Sequence, residues 1–385
     1  VNIIISKPDP ASQNIEDNLL RIKKWKPIDI NCENILRAFE SDRFRLVEIE
    51  GLHIYQGGLD RRLTECGLDS DILIFASKHR SEDGRKILTV HPTGNTKEAK
   101  FGGRPMELSA AASQAMRSIY MNLDKLTKNK KFQVSLESTH HGPSDLITPS
   151  LFVEIGSSKT EWVDPAAGHI VACAILMYEI KNNVPIAVGF GGNHYASRQT
   201  ELLKKTAVSF GHIFPTYKLD QLNKFLIKQA FERSHADFAY FDRKSMSVKQ
   251  RHRINSIIEN IGYEVIREID IREMDGVPWQ IYKQLRNKVH EFCPTGVTRI
   301  TQSIKAVLRA SFHKNELIEL QVAAISPELL NEAEKLNRVH IESFIKKHCI
   351  VYVEQNNGRL SNCFIGMDNK DTSFMIKELT NALIY

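Results

Sequence analysis

Short apolar runs alternate with longer stretches of helical spacing through the first two thirds of the chain. Ile3 to Ser6, Arg45 to Ile49, Ile72 to Ser77 and Lys86 to Val90 read as strands, the last running straight into His91. From Glu107 to Leu126 an Ala-rich pattern, with Met116, Ile119, Tyr120 and Leu123 at helical spacing, predicts one long helix. Strands Phe132 to Leu136 and Leu151 to Ile155 follow. A helix then begins at Asp164-Pro165, with Asp as N-cap and Pro at the first helical position. Beyond it the pattern predicts strand Ile186 to Phe190, helices Thr200 to Val208 and Leu219 to Arg233, strand Asp237 to Phe241, helix Val248 to Asn260 and strand Tyr263 to Ile266. Strands separated by helices imply an α/β fold, a mixed sheet with helices on both faces.

The turn-rich Met274-Asp275-Gly276-Val277-Pro278 reads as a seam between a catalytic region, 1–275, and an appended α+β domain, 276–385. The latter is expected to hold helices Gln280 to Phe292 and Pro327 to Lys346 and strand-like runs Glu316 to Ala324, Ile350 to Glu354 and Asn362 to Met367. There is no internal repeat.

Chemistry concentrates in STHHGPSDLITPSLFVEIGSSKTEW, residues 138–162. It gathers His140, His141, Glu154, Lys159 and Glu161 around one strand-like run. Imidazole is a common zinc ligand, so His beside Glu at strand ends suggests metal-assisted hydrolysis. Gly142-Pro143 breaks the strand and can turn both imidazoles into one pocket. His91, in HPTGN, and His194, in GFGGNHYA, also follow apolar runs. With His140, His141 and Glu154 they are the candidate ligands, expected to meet on one rim of the sheet. Glu154 lies on an apolar strand, where an unpaired carboxylate is costly, so it has a cationic partner. Glu137 or Glu161 is the candidate general base, and Lys159 a further catalytic candidate. Gly191, Gly192 and Asn193 are candidates for oxyanion or substrate-backbone contacts, with Thr93 and Asn95 beside them as substrate-binding residues. His212, ending SFGHIF, is a further candidate ligand. His53, His169, His235, His252, His290, His313, His340 and His348 read as structural or surface residues.

Composition narrows the class. Of 385 residues 42% are apolar and 25% charged, as in globular proteins, and no apolar run reaches the roughly 18–20 residues of a bilayer span. The first residues lack the pattern of a signal peptide. Six scattered cysteines with no CxxC pair suggest thiols in a reducing cytoplasm, leaving His and carboxylate as the metal ligands. A net charge of +6 permits a polyanionic partner; Arg21 to Lys26, Lys125 to Lys131 and Arg243 to Arg253 are the basic stretches.

SKHRSEDGRKILTVHPTGN, STHHGP, FVEIGSSKTEW, GFGGNHYA and GHIFP, in this order, resemble the archaeal and plant type of D-aminoacyl-tRNA deacylase over residues 1 to about 273. The resemblance implies a phosphorylase/hydrolase-like fold related to that of peptidyl-tRNA hydrolase. It further implies zinc-dependent hydrolysis of the ester joining a D-amino acid to tRNA; apart from the resemblance, the protein is expected in the cytoplasm, with a monomer favoured and the oligomeric state left open. A zinc aminopeptidase or amidohydrolase on a related fold, and a tRNA-binding module without chemistry, are the rival readings.

Overall fold

The structure, a computed structural model, describes all residues except 129–130, 181–182, 314–319, 349, 356, 368–373, 375, 379 and 382–385. Cys349 and parts of the runs 125–131 and 316–324 thus lie outside the described residues. The chain divides into two units, Val1–Ile266 and Arg267–Tyr385.

The first unit contains strands β1 (Asn2–Ser6), β2 (Lys26–Ile28), β3 (Ile35–Ser41), β4 (Phe44–Ile49), β5 (Leu73–Lys78), β6 (Ile87–His91), β7 (Gly94–Asn95), β8 (Glu107–Leu108), β9 (Gln133–Leu136), β10 (Ser150–Gly156), β11 (Ile186–Phe190), β12 (Ser209–Phe214), β13 (Phe238–Phe241) and β14 (Val265–Ile266). Its helices are α1 (Pro10–Ile22), α2 (Leu59–Glu65), α3 (Ser113–Thr127), α4 (Lys159–Trp162), α5 (Pro165–Leu176), α6 (Ser197–Lys205), α7 (Lys224–Ser234) and α8 (Val248–Asn260). Eight strands form one mixed sheet in the order β2-β3-β4-β1-β5-β10-β6-β9. The pairs from β4 through β1 and β5 to β10 are parallel; β6 is antiparallel to β10 and parallel to β9. A second sheet, β12-β11-β13-β14, is parallel throughout.

Every residue of β1 and of β10 is buried, so both faces of the central strands are covered. Ile4, Val47, Phe75 and Phe152 pack with Leu59 and Leu63 of α2. Helices α1 and α5 pack on each other and against β1, β5 and β10. The α5 start is built as its sequence indicates, Asp164 accepting from the Ala166 amide with Pro165 behind it.

Two expectations change. The helix read from residue 107 starts at Ser113, because the amides of Ala110, Ala111 and Ala112 donate to Leu146, Arg233 and Ser150 carbonyls. Three consecutive tertiary hydrogen bonds override the helix propensity of alanine. Cys32 and Cys66, read as separate thiols, form a disulfide that closes a sequence separation of 34 residues; pairing across such a distance leaves no spacing signature.

The second unit has strands β15 (Val297–Ile300), β16 (Gln321–Ala324), β17 (Val351–Glu354) and β18 (Leu360–Gly366) in one antiparallel sheet, β15-β17-β18-β16. Helices α9 (Glu268–Glu273), α10 (Trp279–Phe292), α11 (Gln302–His313) and α12 (Pro327–Lys347) accompany it. Residues 267–276 belong here: Arg267 bonds the Gly296 carbonyl, Glu273 pairs with Arg299 at 2.6 Å, and Arg309 bonds the Gly276 carbonyl.

Glu16, on α1, is 2% exposed and has one oxygen without a partner; Arg37 pairs with the other. Burial raises its pKa from 4.5 to about 7 against the opposing pull of Arg37. An acid whose pKa is raised by folding loses stability as pH rises from its unfolded value through its folded one. Glu16→Gln should therefore raise Tm over the parent by roughly 2–4 °C at pH 8 and by little at pH 4.5, as followed by thermal melts. A gain that does not grow with pH would show that the carboxylate is compensated.

Candidate metal centre and active site

Strand register brings distant residues to one face of the large sheet. Glu154 pairs with Ser77 on one side and Thr89 on the other, while Phe152 pairs with Phe75 and His91. Partners across a ladder point the same way, so Glu154, Phe152 and His91 share a face. His79 follows β5 and Glu137 follows β9, each within one residue of its strand end. Because β6 runs antiparallel to β10, these groups meet over the face of the sheet instead of along one rim. His140 and His141 arrive by a sharp bend in which His141 has φ +45°. A side chain at Gly142 would meet Gly102 and Gly103 backbone at 2.4 Å, so glycine is required there. The His140 and His141 rings end 4.4 Å apart, and those of His91 and His140 are also 4.4 Å apart.

Three imidazoles are oriented alike. His91 Nδ1 lies 3.1 Å from the Pro92 carbonyl, His140 Nδ1 2.7 Å from that of Ser138, and His141 Nδ1 2.7 Å from that of Gly142. A carbonyl only accepts, so each Nδ1 carries the proton it donates and each Nε2 is left for a cation. His91 Nε2, fully buried, has no hydrogen-bond partner at all. These three residues offer ligand atoms within 4.8 Å of one another. Three imidazoles with backbone-anchored Nδ1 suit zinc with a further position open, although, against the opposition of burial, Glu154 draws His91 toward its charged form, so that a metal there displaces a proton. Burial, then His91, holds His141 down at about 4, and the same influences with His141 keep His140 well below its ordinary value. Both are neutral near pH 7, as ligation requires.

Two buried carboxylates flank the trio. Glu137 Oε2 lies 2.8 Å from His194 Nε2 and 3.5 Å from His140 Nε2, and Glu137 Oε1 is 3.1 Å from His79 Nδ1. None of these contacts is aligned as a hydrogen bond, leaving both oxygens of a fully buried carboxylate unsatisfied. Glu154 Oε2 is 3.5 Å from His79 Nδ1 and 3.6 Å from His91 Nε2. Burial opposes ionisation of both acids, but the imidazoles outweigh it, holding Glu137 well below the usual carboxylate range and Glu154 at about 2. Conversely burial opposes charge on His79, and Glu137 and Glu154 outweigh it, pushing His79 up to about 11. On its far side His79 Nε2 meets the Tyr195 hydroxyl at 3.1 Å.

His91, His140, His141, Glu154, His194 and Glu137 thus come together. Other sequence candidates are committed elsewhere. Glu161 closes a capping box on α4, its Oε2 accepting from the Ser158 amide and hydroxyl. Lys159 is an exposed residue of the same short helix. The amides of Gly191 and Gly192 donate to Phe214 O and Ser245 Oγ, and the Asn193 carbonyl accepts from Ala196, so this loop is tied internally. Asn95 clamps the Gly102 and Arg104 carbonyls. Thr93 bridges to His140 with its hydroxyl unpartnered. His212 is a satisfied core histidine, bonded to Ser109 O and Thr139 Oγ1. His79 was not singled out by sequence; its signal is its place directly after β5, in SKHRS.

A cavity of about 390 Å³ opens onto the centre, lined by His79, His140, His141, Glu154 and His194, with Leu52, His53, Ile54 and Phe101 as its apolar side and Lys78 and Arg80 as its basic one. Fold and site together define an α/β protein with a buried histidine–carboxylate centre beneath a ligand-sized cavity. The family model described as D-aminoacyl-tRNA deacylase matches residues 66–266, and the chain belongs to that family. A D-aminoacyl-tRNA deacylase of Methanococcoides burtonii is 40% identical over 391 residues, covering 99% of this chain and 81% of that protein. One of Methanosarcina acetivorans is 50% identical over 72% of this chain and 95% of its own length. The crystal structure of a conserved protein of unknown function, AF0625, aligns with a TM-score of 0.67 at 36% identity, over 70% of this chain and 96% of that one.

Protein stripped with a chelator and titrated with zinc should take up about one equivalent. His91→Ala and His141→Ala should each weaken uptake at least about 10-fold, read by calorimetry and elemental analysis. Unchanged uptake in both would place the ion outside the trio.

Proposed function

We propose that this protein hydrolyses the ester of D-aminoacyl-tRNA, releasing the free D-amino acid and tRNA, with zinc at the histidine trio. The observation that carries the zinc reading is the set of anchored Nδ1 atoms with an orphaned His91 Nε2. Family membership carries the substrate. His91, His140 and His141 would hold the ion. Once bound, zinc supplies Lewis acidity toward the ester carbonyl and the attacking water.

The chain's own groups do the rest. His194, 31% exposed and lining the cavity, backs onto Glu137 at 2.8 Å. His194 Nδ1, the ring nitrogen away from Glu137 and 3.4 Å from the Ser138 hydroxyl, takes the proton from the attacking water and returns it to the departing ribose oxygen, while the Glu137 carboxylate stabilises the imidazolium formed in between. His79, held between Glu137, Glu154 and Tyr195, positions both acids. The walls of the cavity exclude bulk water from the ester, and Leu52, Ile54 and Phe101 offer the apolar surface against which an amino-acid side chain is sorted by shape. Lys78 and Arg80 stand where a nucleotide phosphate would enter. We place tRNA binding chiefly on the first unit: residues 267–385 hold 16 Lys and Arg against 15 Asp and Glu, so nearly all of the +6 net charge lies outside them.

Purified protein loaded with zinc should release D-tyrosine from D-tyrosyl-tRNA at least about 100-fold faster than L-tyrosine from the L-form, a gap of about 2.7 kcal/mol in activation free energy. Equal rates would remove chiral selection and leave an ester hydrolase.

The Methanosarcina acetivorans relative aligns over a share of this chain close to that of the first unit. A protein of residues 1–266 should therefore fold and retain the single-turnover rate at saturating enzyme. A folded but inactive truncation would assign part of the chemistry to the second unit.

A further inference from the structure

Phe101 belongs to the lining of the cavity over the histidine centre, yet it is 65% exposed. Leu52 and Ile54, which share that apolar side, are half-buried. Tyr55, directly after Ile54, is 62% exposed. The two rings stand on loops that touch. Gly102 has φ +77°, and a Cβ there would lie 1.8 Å from the Ile54 carbonyl oxygen and 3.2 Å from Tyr55 Cδ1, so no other residue fits. The backbone beneath Phe101 is tied down on every side. Its carbonyl accepts from the Gly142 amide at 2.9 Å, Asn95 donates to the Gly102 and Arg104 carbonyls, and the Arg104 amide donates to Ser144 Oγ. Gly142 and Ser144 continue the segment that carries His140 and His141. An open aromatic ring is thus mounted on a support registered to the centre, which lowers the ordering cost of any ligand it meets.

The size of the cavity indicates which part of the substrate reaches it. About 390 Å³ is near the lower end for ligand sites. An aminoacyl group and the ribose that carries it occupy a space of that order, which leaves the base on the same ribose at the mouth. A base presents a flat π-face, and an exposed aromatic ring is the surface that matches it. Exposed Lys97, Lys100 and Arg104 lie on the same loop, beside Glu98, and suit the phosphates that follow.

We propose that Phe101 stacks on the terminal base of the tRNA, the one joined to the ribose that bears the ester, and that Tyr55 extends this platform along the unpaired 3′ end. The inference rests on the deacylase reading above and adds nucleotide-binding residues to it.

A cycle that removes ring and base in turn tests the contact. The parent and Phe101→Ala are assayed for kcat/KM on D-tyrosyl-tRNA and on the same tRNA whose terminal, ester-bearing ribose lacks its base. Removing the base should slow the parent at least about 5-fold, and Phe101→Ala should lose a similar factor on the intact substrate. In Phe101→Ala, removing the base should then cost less than about 2-fold more, because the partner is already gone. Phe101→Trp, which keeps a stacking face, should restore the dependence on the base. Losses that multiply independently overturn the proposal, since a ring that only shapes the loop or borders the amino-acid side chain has no reason to sense the base. A parent indifferent to the base overturns it equally. Absence of parent activity on intact D-tyrosyl-tRNA is the separate failure of the deacylase reading and removes this inference with it.

Discussion

Two carboxylates buried side by side among histidines set the terms for the rest of the first unit. Glu137 and Glu154 are 0% and 3% exposed and both ionised, a state that low-dielectric surroundings resist strongly. The negative charge persists because positive charge is held within reach, by protonated His79 or by a cation among the imidazoles. Proton and metal thus compete for the same deficit. The surrounding architecture fixes the geometry of that competition. A central sheet covered on both faces keeps water out, and backbone carbonyls lock the tautomers of the trio.

The strands and helices that pack by regular periodicity were legible in the sequence. Helix α8, Val248–Asn260, and strand β11, Ile186–Phe190, fall at their expected bounds, and α5 begins at its Asp-Pro signal. Other elements carried weaker signals. Helix α1 has Asn14, Glu16 and Asn18 on its packed side, where Asn14 bonds the Trp162 and Asp164 carbonyls, so its apolar stripe is interrupted by groups with tertiary duties. Strands β2 and β3 lie at the sheet margin and bury their residues in no strict alternation, so the signal that announces a strand is missing.

The site was legible as a set of residue types and obscure as a geometry. Histidines after apolar runs pointed to His91, His140, His141 and His194. What sequence could not supply was register: only the pairing of Glu154 with Ser77 and Thr89 shows which face it shares, and with whom. The same blindness left His79 unremarked and gave Glu161 a chemical reading, although Glu161 spends its carboxylate on Ser158. Polar residues near a motif divide into reactive ones and ones that hold the motif's shape, and hydrogen-bond partners tell them apart.

The insertion of β10 between β5 and β6 has a consequence for synthesis of the chain on the ribosome. Strands β5 and β6 emerge long before β10, yet they cannot take their final places until β10 separates them. His194 arrives later still. A nascent chain therefore exposes several imidazoles and carboxylates with no fixed geometry, and gains a selective site only after most of the first unit has folded. Any ion it keeps must be taken up by the folded form, and each increment of ion affinity then adds directly to the free energy of that fold.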